Sequence, residues 1–182
     1  YVIDAKDTFK EIVVDNYIKK SLSGLTPNPC YLCNQRIRWG LLFEKARSFG
    51  ANFFATGHYA NVEKGNDGVY HLYNGVDEKK DQSYVLSGLN QEQLSQTIFP
   101  LGKFKKEQIR EKALQIGLPV ATKQDSQDLC FIGNEDYRSF LINYAGQKTQ
   151  PGNIVDKNGK IFGVHNGLQN YTIGQRKGLG AG

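Results

Sequence analysis

An α/β fold is the architecture this sequence predicts, and three observations predict it. Asn52-Phe53-Phe54-Ala55-Thr56 is a short apolar run that follows a helical stretch directly, the pattern of a buried parallel strand. Gly57-His58 closes that run, and open α/β sheets bind ligands outside the carboxyl ends of their strands. After Pro151-Gly152 the pattern changes to short strand pairs around tight turns, so a boundary near residues 133–136 is expected to divide residues 1–133 from 134–182. Composition agrees with a folded chain. Of 182 residues, 39% are hydrophobic and 23% charged, which excludes disordered and low-complexity classes. No run of 18 apolar residues could span a membrane, and no secretory leader is evident. Three cysteines are too few and odd in number for a disulfide framework. The net charge of +5 permits a polyanionic partner without requiring one. A chain that starts at Tyr1 and has no Met reads as a segment of a longer protein.

The elements follow in order. Asp7 is a candidate N-cap for a helix with Phe9, Ile12 and Val13 inward, which Gly24 could end. The Pro27-Asn28-Pro29 stretch argues for a stiff loop, with a second helix starting near Asn34, carrying Ile37, Leu41 and Phe49 inward and stopping at Gly50. Residues 61–63 and 69–73 flank Gly65-Asn66-Asp67-Gly68 as a hairpin. Asn90 caps a short helix through Gln96. Residues 103–116 form a longer one, with Ile109, Ala113 and Ile116 on one face and Gly117 at its end. Asn134 is a candidate cap for a helix with Tyr137, Phe140 and Leu141. Asp156-Lys157-Asn158-Gly159 turns a hairpin between residues 154–155 and 161–162.

Cys30-x-x-Cys33 leaves several chemistries open. A structural zinc site needs four ligands, and no second matching pair exists. A redox pair or two ordinary loop thiols are alternatives. A fourth reading uses position: just ahead of a helix N-terminus, Cys33 would be held as the nucleophilic thiolate. Cys130, in a largely apolar run, reads by itself as a packed core thiol. His58 alone reads more simply as a satisfied structural histidine than as a ligand. Lys80-Asp81-Gln82, the basic face of Lys103, Lys105, Lys106 and Arg110, and the loop at Gln175-Arg176-Lys177 suit either solvation or nucleic-acid contact.

Five motifs in order resemble the tRNA-specific 2-thiouridylase family. They are Thr26-Pro-Asn-Pro-x-x-x-Cys33-Asn34, Ala55-Thr-Gly-His-Tyr-Ala60, Lys80-Asp-Gln-Ser-Tyr84, Asp125-Ser-Gln-Asp-x-Cys-Phe-Ile132 and Tyr171-Thr-Ile-Gly-Gln-Arg-Lys-Gly-Leu179. The resemblance implies part of an ATP-pyrophosphatase domain, Rossmann-like and of the adenine nucleotide alpha-hydrolase type. A small central α+β domain would follow it. The family's Ser-Gly-Gly-x-Asp-Ser phosphate loop and its C-terminal barrel are not in this sequence, so this segment alone is expected to be inactive. The activity implied is ATP-dependent sulfur transfer to wobble uridine, forming 2-thiouridine in Lys, Glu and Gln tRNAs. Cys33 would be the nucleophile and Cys130 the persulfide carrier. Asn28, Pro29 and Cys30 would face the target base. Gly57 would meet ATP through its backbone, and His58, Lys80, Asp81 and Gln82 would meet tRNA. Many members carry Asp where this chain has Cys30, so a third thiol enters the site.

The implied cofactors are ATP and Mg2+. The implied partners are tRNA and a cysteine desulfurase or sulfur-relay protein, with no membrane, in the cytoplasm. A second mechanism has Cys30, Cys33 and Cys130 holding a [4Fe–4S] cluster whose open iron presents sulfide. Two rival functions are a non-catalytic RNA-binding module and a related ATP-pyrophosphatase ligase or amidotransferase domain.

Overall fold

The computed structural model describes residues 1–123, 129–133, 135–145 and 150–179. The chain packs as two compact units: Tyr1–Ala5 with Cys30–Asp125, and Lys6–Pro29 with Ser126–Gly182. The second unit therefore joins two segments far apart in the chain. The sequence reading cut the chain once; packing groups the first helix with the residues after 125.

In the first unit, helix α3 (Pro29–Cys33) runs through a wider π-type turn (Asn34–Leu42) into α4 (Phe43–Ser48). The wide turn is visible in its bonds, since Phe43 N–H donates to Arg38 O, five residues back. The expected loop over Pro29 is replaced by a helix start. Proline is tolerated at a first helical position because its missing N–H would have no intrahelical partner there. Strands β1 (Phe54–Ala55) and β4 (Thr97–Ile98) pair in parallel, and β2 (Ala60–Lys64) and β3 (Tyr70–Asn74) form the expected antiparallel hairpin. Asn90 caps α5 (Gln91–Ser95): Gln93 N–H donates to Asn90 Oδ1 at 2.8 Å, and Asn90 N–H to Gln93 Oε1 at 3.0 Å. Helix α6 (Lys106–Gln115) ends before Gly117, whose φ is +69°. It buries no residue, and Ile116 is exposed where an inward position was expected.

Trp39, Phe43, Ala60, Val85, Leu86 and Phe99 form this unit's core, with Phe54 packed against it. Trp39 Nε1–H donates to Thr97 Oγ1 at 2.8 Å, which fixes the helix to β4 and so to β1. Phe49, expected inward, is exposed instead. The wide turn explains the change, because it shifts the helical phase of everything after it.

In the second unit, α1 (Lys6–Phe9) continues through another wide turn (Lys10–Asp15) into α2 (Asn16–Leu22). Gly24 ends it at φ +77°, with Leu25 N–H donating to Lys20 O and Gly24 N–H to Ser21 O. Val14, Tyr17 and Ile18 pack with Ile132 and with Phe140 and Leu141 of α7 (Tyr137–Ala145). Asn134, the expected cap of α7, lies outside the described residues. Strands β5 (Gly152–Val155) and β6 (Ile161–His165) pair antiparallel around the expected Asn158-Gly159 turn. The α/β class read from the sequence holds.

Candidate functional site

The first cluster of candidate residues is on α3. Pro29 is its first residue, so Cys30 stands second and Cys33 fifth. This changes the electrostatic argument. The positive end of a helix acts over its first turn, which here holds Cys30, while Cys33 stands in the turn after it. Cys30 is exposed and Cys33 half-buried, and none of the three cysteines is in a disulfide. Asn34, which follows Cys33, is buried. Its Oδ1 is the one buried side-chain polar atom without a hydrogen-bond partner among the described residues. The sequence marked Asn34 only as part of a motif.

The second cluster is the turn after β1. Gly57 is exposed, and a Cβ added there would meet only Leu101 Cδ1, at 3.7 Å. Neither backbone strain nor crowding within the chain requires glycine here. The open side of the turn is where a close approach from outside the chain would use it.

His58 is 7% exposed, between the rings of Trp39 and Phe99, with its Nδ1 hydrogen-bonded to Thr56 Oγ1 at 2.8 Å. Burial, aided by the Arg38 charge, lowers its pKa from 6.5 to about 4, so the ring is neutral at pH 7. Gln82 binds the same turn from both sides of one residue. Its Oε1 accepts Tyr59 N–H at 3.1 Å, and its own N–H donates to Tyr59 O at 2.9 Å. Asp81 accepts from Gly75 N–H at 2.9 Å and from Ser83 Oγ–H at 2.8 Å. Lys80 is half-buried in the same loop. Gly57, His58 and Gln82 are thus brought together through Tyr59. Asp81 holds the loop that carries Lys80.

The third cluster belongs to the second unit. Leu129 and Ile132 pack against the helix core, while Cys130 between them is exposed. The expected packed thiol is therefore a surface thiol, because Leu129, Phe131 and Ile132 take the inward places of this short turn. Asp125 to Asp128 of its motif lie outside the described residues.

A cleft of about 270 Å³ lies beside this turn. Thr26, Pro27 and Pro29 line it from one side, Leu129 from another, and Tyr171 and Thr172 from a third. Three of the sequence motifs meet at this cleft. Asn28 is exposed and Pro29 buried in the loop that forms its wall. Sequence reasoning missed Tyr17 and Ser21 on the same wall. Their signal is legible afterwards: two polar side chains spaced i, i+4 on an otherwise apolar helix face. Burial pushes the Tyr17 phenol upward, so it remains a neutral hydrogen-bonding group.

Among the described residues, which include all three cysteines, no group of three or more His, Cys, Asp or Glu is placed to hold a metal ion. No described helix is long and apolar enough to cross a membrane.

Comparison with known proteins gives two family matches. A tRNA methyl transferase HUP domain model matches residues 1–134, and a tRNA methyl transferase PRC-barrel domain model matches residues 138–182. The chain is 49% identical over 180 residues to the tRNA-specific 2-thiouridylase MnmA of Geotalea uraniireducens, covering 99% of this chain and 48% of that protein. It is 49% identical over 183 residues to the protein of that name from Trichlorobacter lovleyi, covering 100% and 51%. With that from Heliobacterium modesticaldum it shares 50% over 182 residues, covering 99% and 47%. The chain spans about half the length of these relatives.

Proposed function

Because the chain belongs to the tRNA-specific 2-thiouridylase family, we propose that it is the part of a tRNA-uridine 2-sulfurtransferase that carries both working cysteines. One observation carries this reading. Pro29, the residue before Cys30, and Leu129, the residue before Cys130, line the same cleft. That geometry supports a target uridine entering against the Pro27–Pro29 loop, with Asn28, Pro29 and Cys30 facing the base. A base must leave its stack to be modified. The cleft's apolar and hydroxyl lining suits a pyrimidine better than a phosphate.

Uridine O2 takes the adenylyl group of ATP, the bond from the α-phosphorus to the bridging oxygen breaks and pyrophosphate leaves, which turns O2 into part of an AMP leaving group. Mg2+ accompanies the triphosphate, and the backbone of Gly57 approaches the nucleotide. The terminal sulfur of a Cys130 persulfide attacks C2 and AMP departs. The Cys33 thiolate then attacks the Cys130 sulfur and breaks its bond to the transferred sulfur. That sulfur remains on C2 as the thiocarbonyl, and a Cys33–Cys130 disulfide forms. A cellular thiol reductant restores both thiols. A cysteine desulfurase or relay protein then reloads Cys130 with sulfur. On this reading the reaction runs in the cytoplasm.

His58 contributes by holding the Gly57 turn, and Asp81 and Gln82 by holding the loop of Lys80 that meets tRNA. The tRNA species are those with a wobble uridine read for Lys, Glu and Gln. On this reading residues 1–133 belong to the nucleotide-binding part and 134–182 to a central tRNA-contacting part, with residues 6–29 packed against the latter's side of the chain.

In the intact protein, Cys33→Ser and Cys130→Ser are each expected to abolish thiolation while leaving tRNA affinity unchanged. Nucleoside mass spectrometry of the product tRNA checks this and distinguishes a thiolated from a methylated uridine. A normal 2-thiouridine yield from either variant overturns the assignment. Retained RNA binding with no product from the parent protein would instead identify an RNA-binding module.

A further inference from the structure

The basic face of α6 has no role in the reading above, and the structure gives it a neighbour that the sequence did not. The loop after β3 and the first turns of α6 enclose an open cleft of about 510 Å³. Five cationic side chains line it, namely Lys79, Lys80, Lys105, Lys106 and Arg110. Three carboxylates share the cleft, Asp77, Glu78 and Glu107, but the first is already committed to the fold. Asp77 Oδ2 accepts Lys106 N–H at 2.9 Å, and its Oδ1 accepts Lys79 N–H at 3.2 Å. One carboxylate thus fixes the loop to the helix start, and the lysines on either side of it are carried on a rigid base.

The cleft is also tied to the candidate site. Lys106 Nζ lies 5.5 Å from the centroid of the Tyr59 ring, in the turn that carries Gly57 and His58. Val76 N–H donates to Gly102 O at 2.9 Å, tying the loop after β3 to the segment that leads into α6.

We infer that this cleft is a binding site for the phosphodiester backbone of RNA, with Lys79 and Lys105 as its exposed phosphate contacts. The inference rests on the proposed tRNA substrate and extends the contact already assigned to Lys80, which lines the same cleft, to Lys79 and the start of α6. Two features favour a polynucleotide backbone over the triphosphate of a nucleotide. Asp77 occupies the N-terminal N–H of α6 at Lys106, so the helix start offers that donor to no phosphate. The positive groups are side chains spread along an open cleft, the arrangement that neutralises successive phosphates of a strand.

The test uses the intact protein and its Lys79→Gln/Lys105→Gln double variant. Binding is measured by fluorescence anisotropy over a range of KCl, with one tRNA that carries the target uridine and one that lacks it. The double variant should bind both tRNAs about tenfold more weakly at low salt, and its log–log salt slope should shrink by about 2. Its KM for ATP in the thiolation assay should stay unchanged. Unchanged tRNA affinity and slope, in a protein that still thiolates tRNA, overturn the inference and leave the proposed function standing. A raised KM for ATP with intact tRNA affinity also overturns it and assigns the cleft to the nucleotide. A parent protein without tRNA affinity removes the proposed function and this inference together.

Discussion

His58 shows how one side chain's surroundings decide its chemistry. The same imidazole in water would titrate near pH 6.5, but between Trp39 and Phe99 it stays neutral down to about pH 4. The unfolded chain takes up this proton below pH 6.5 and the folded chain does not. The contribution to stability is therefore complete above pH 6.5 and is lost as pH falls toward 4. Stability should drop by about 2 kcal/mol from this group between pH 6.5 and pH 5. Thermal unfolding of the intact protein across that range reads the loss, and His58→Gln should remove this part of the pH dependence. Equal slopes for parent and variant would contradict the burial argument. The sequence placed His58 correctly at a strand end and could not show that its ring points inward.

At the scale of elements, the turn after β1 depends on a close backbone approach. Gly102 sits against β2, where its O accepts from Val76 N–H and from Asn61 Nδ2–H at 3.2 Å. A Cβ at this position would lie 2.6 Å from the Ala60 carbonyl carbon. Backbone cannot yield as a flexible side chain can, so Gly102→Ala should cost about 1–3 kcal/mol. Chemical denaturation measures it, and an unchanged midpoint would show that the strands can separate without loss. Helix starts and stops were legible where a local side chain or glycine sets them, as at Asn90, Gly24 and Gly117. The two wide turns were not, because they arise where the helix accommodates packing on one side. The one after Cys33 moved Phe49 outward, and Pro29 starts its helix for a separate reason, that its missing N–H would be unpaired there in any case. As a result, the helix's first turn holds Cys30, whereas the sequence reading put the helix start just after Cys33.

At the scale of the molecule, the second unit exists because two distant segments share one core. Leu141 of α7 is 1% exposed in a cluster that includes Val14, Tyr17 and Ile18 of the first helix. Leu141→Ala should cost about 2–5 kcal/mol. Amides of the helix over residues 6–22 and of α7 should then lose hydrogen-exchange protection together. Loss confined to α7 would show that the two segments are not one cooperative unit.

Local patterning alone determined the α/β class, both hairpins, the Asn90 cap and the ordered motifs around Cys33, Gly57 and Cys130. Each depends on side-chain period or turn chemistry within a few residues. Tertiary structure decided the exposure of Cys130, the burial of His58, the meeting of three motifs at one cleft, and the basic cleft between the β3 loop and α6. Those outcomes depend on which distant segments share a core and which side chains that packing leaves facing water. No spacing along the chain encodes that choice.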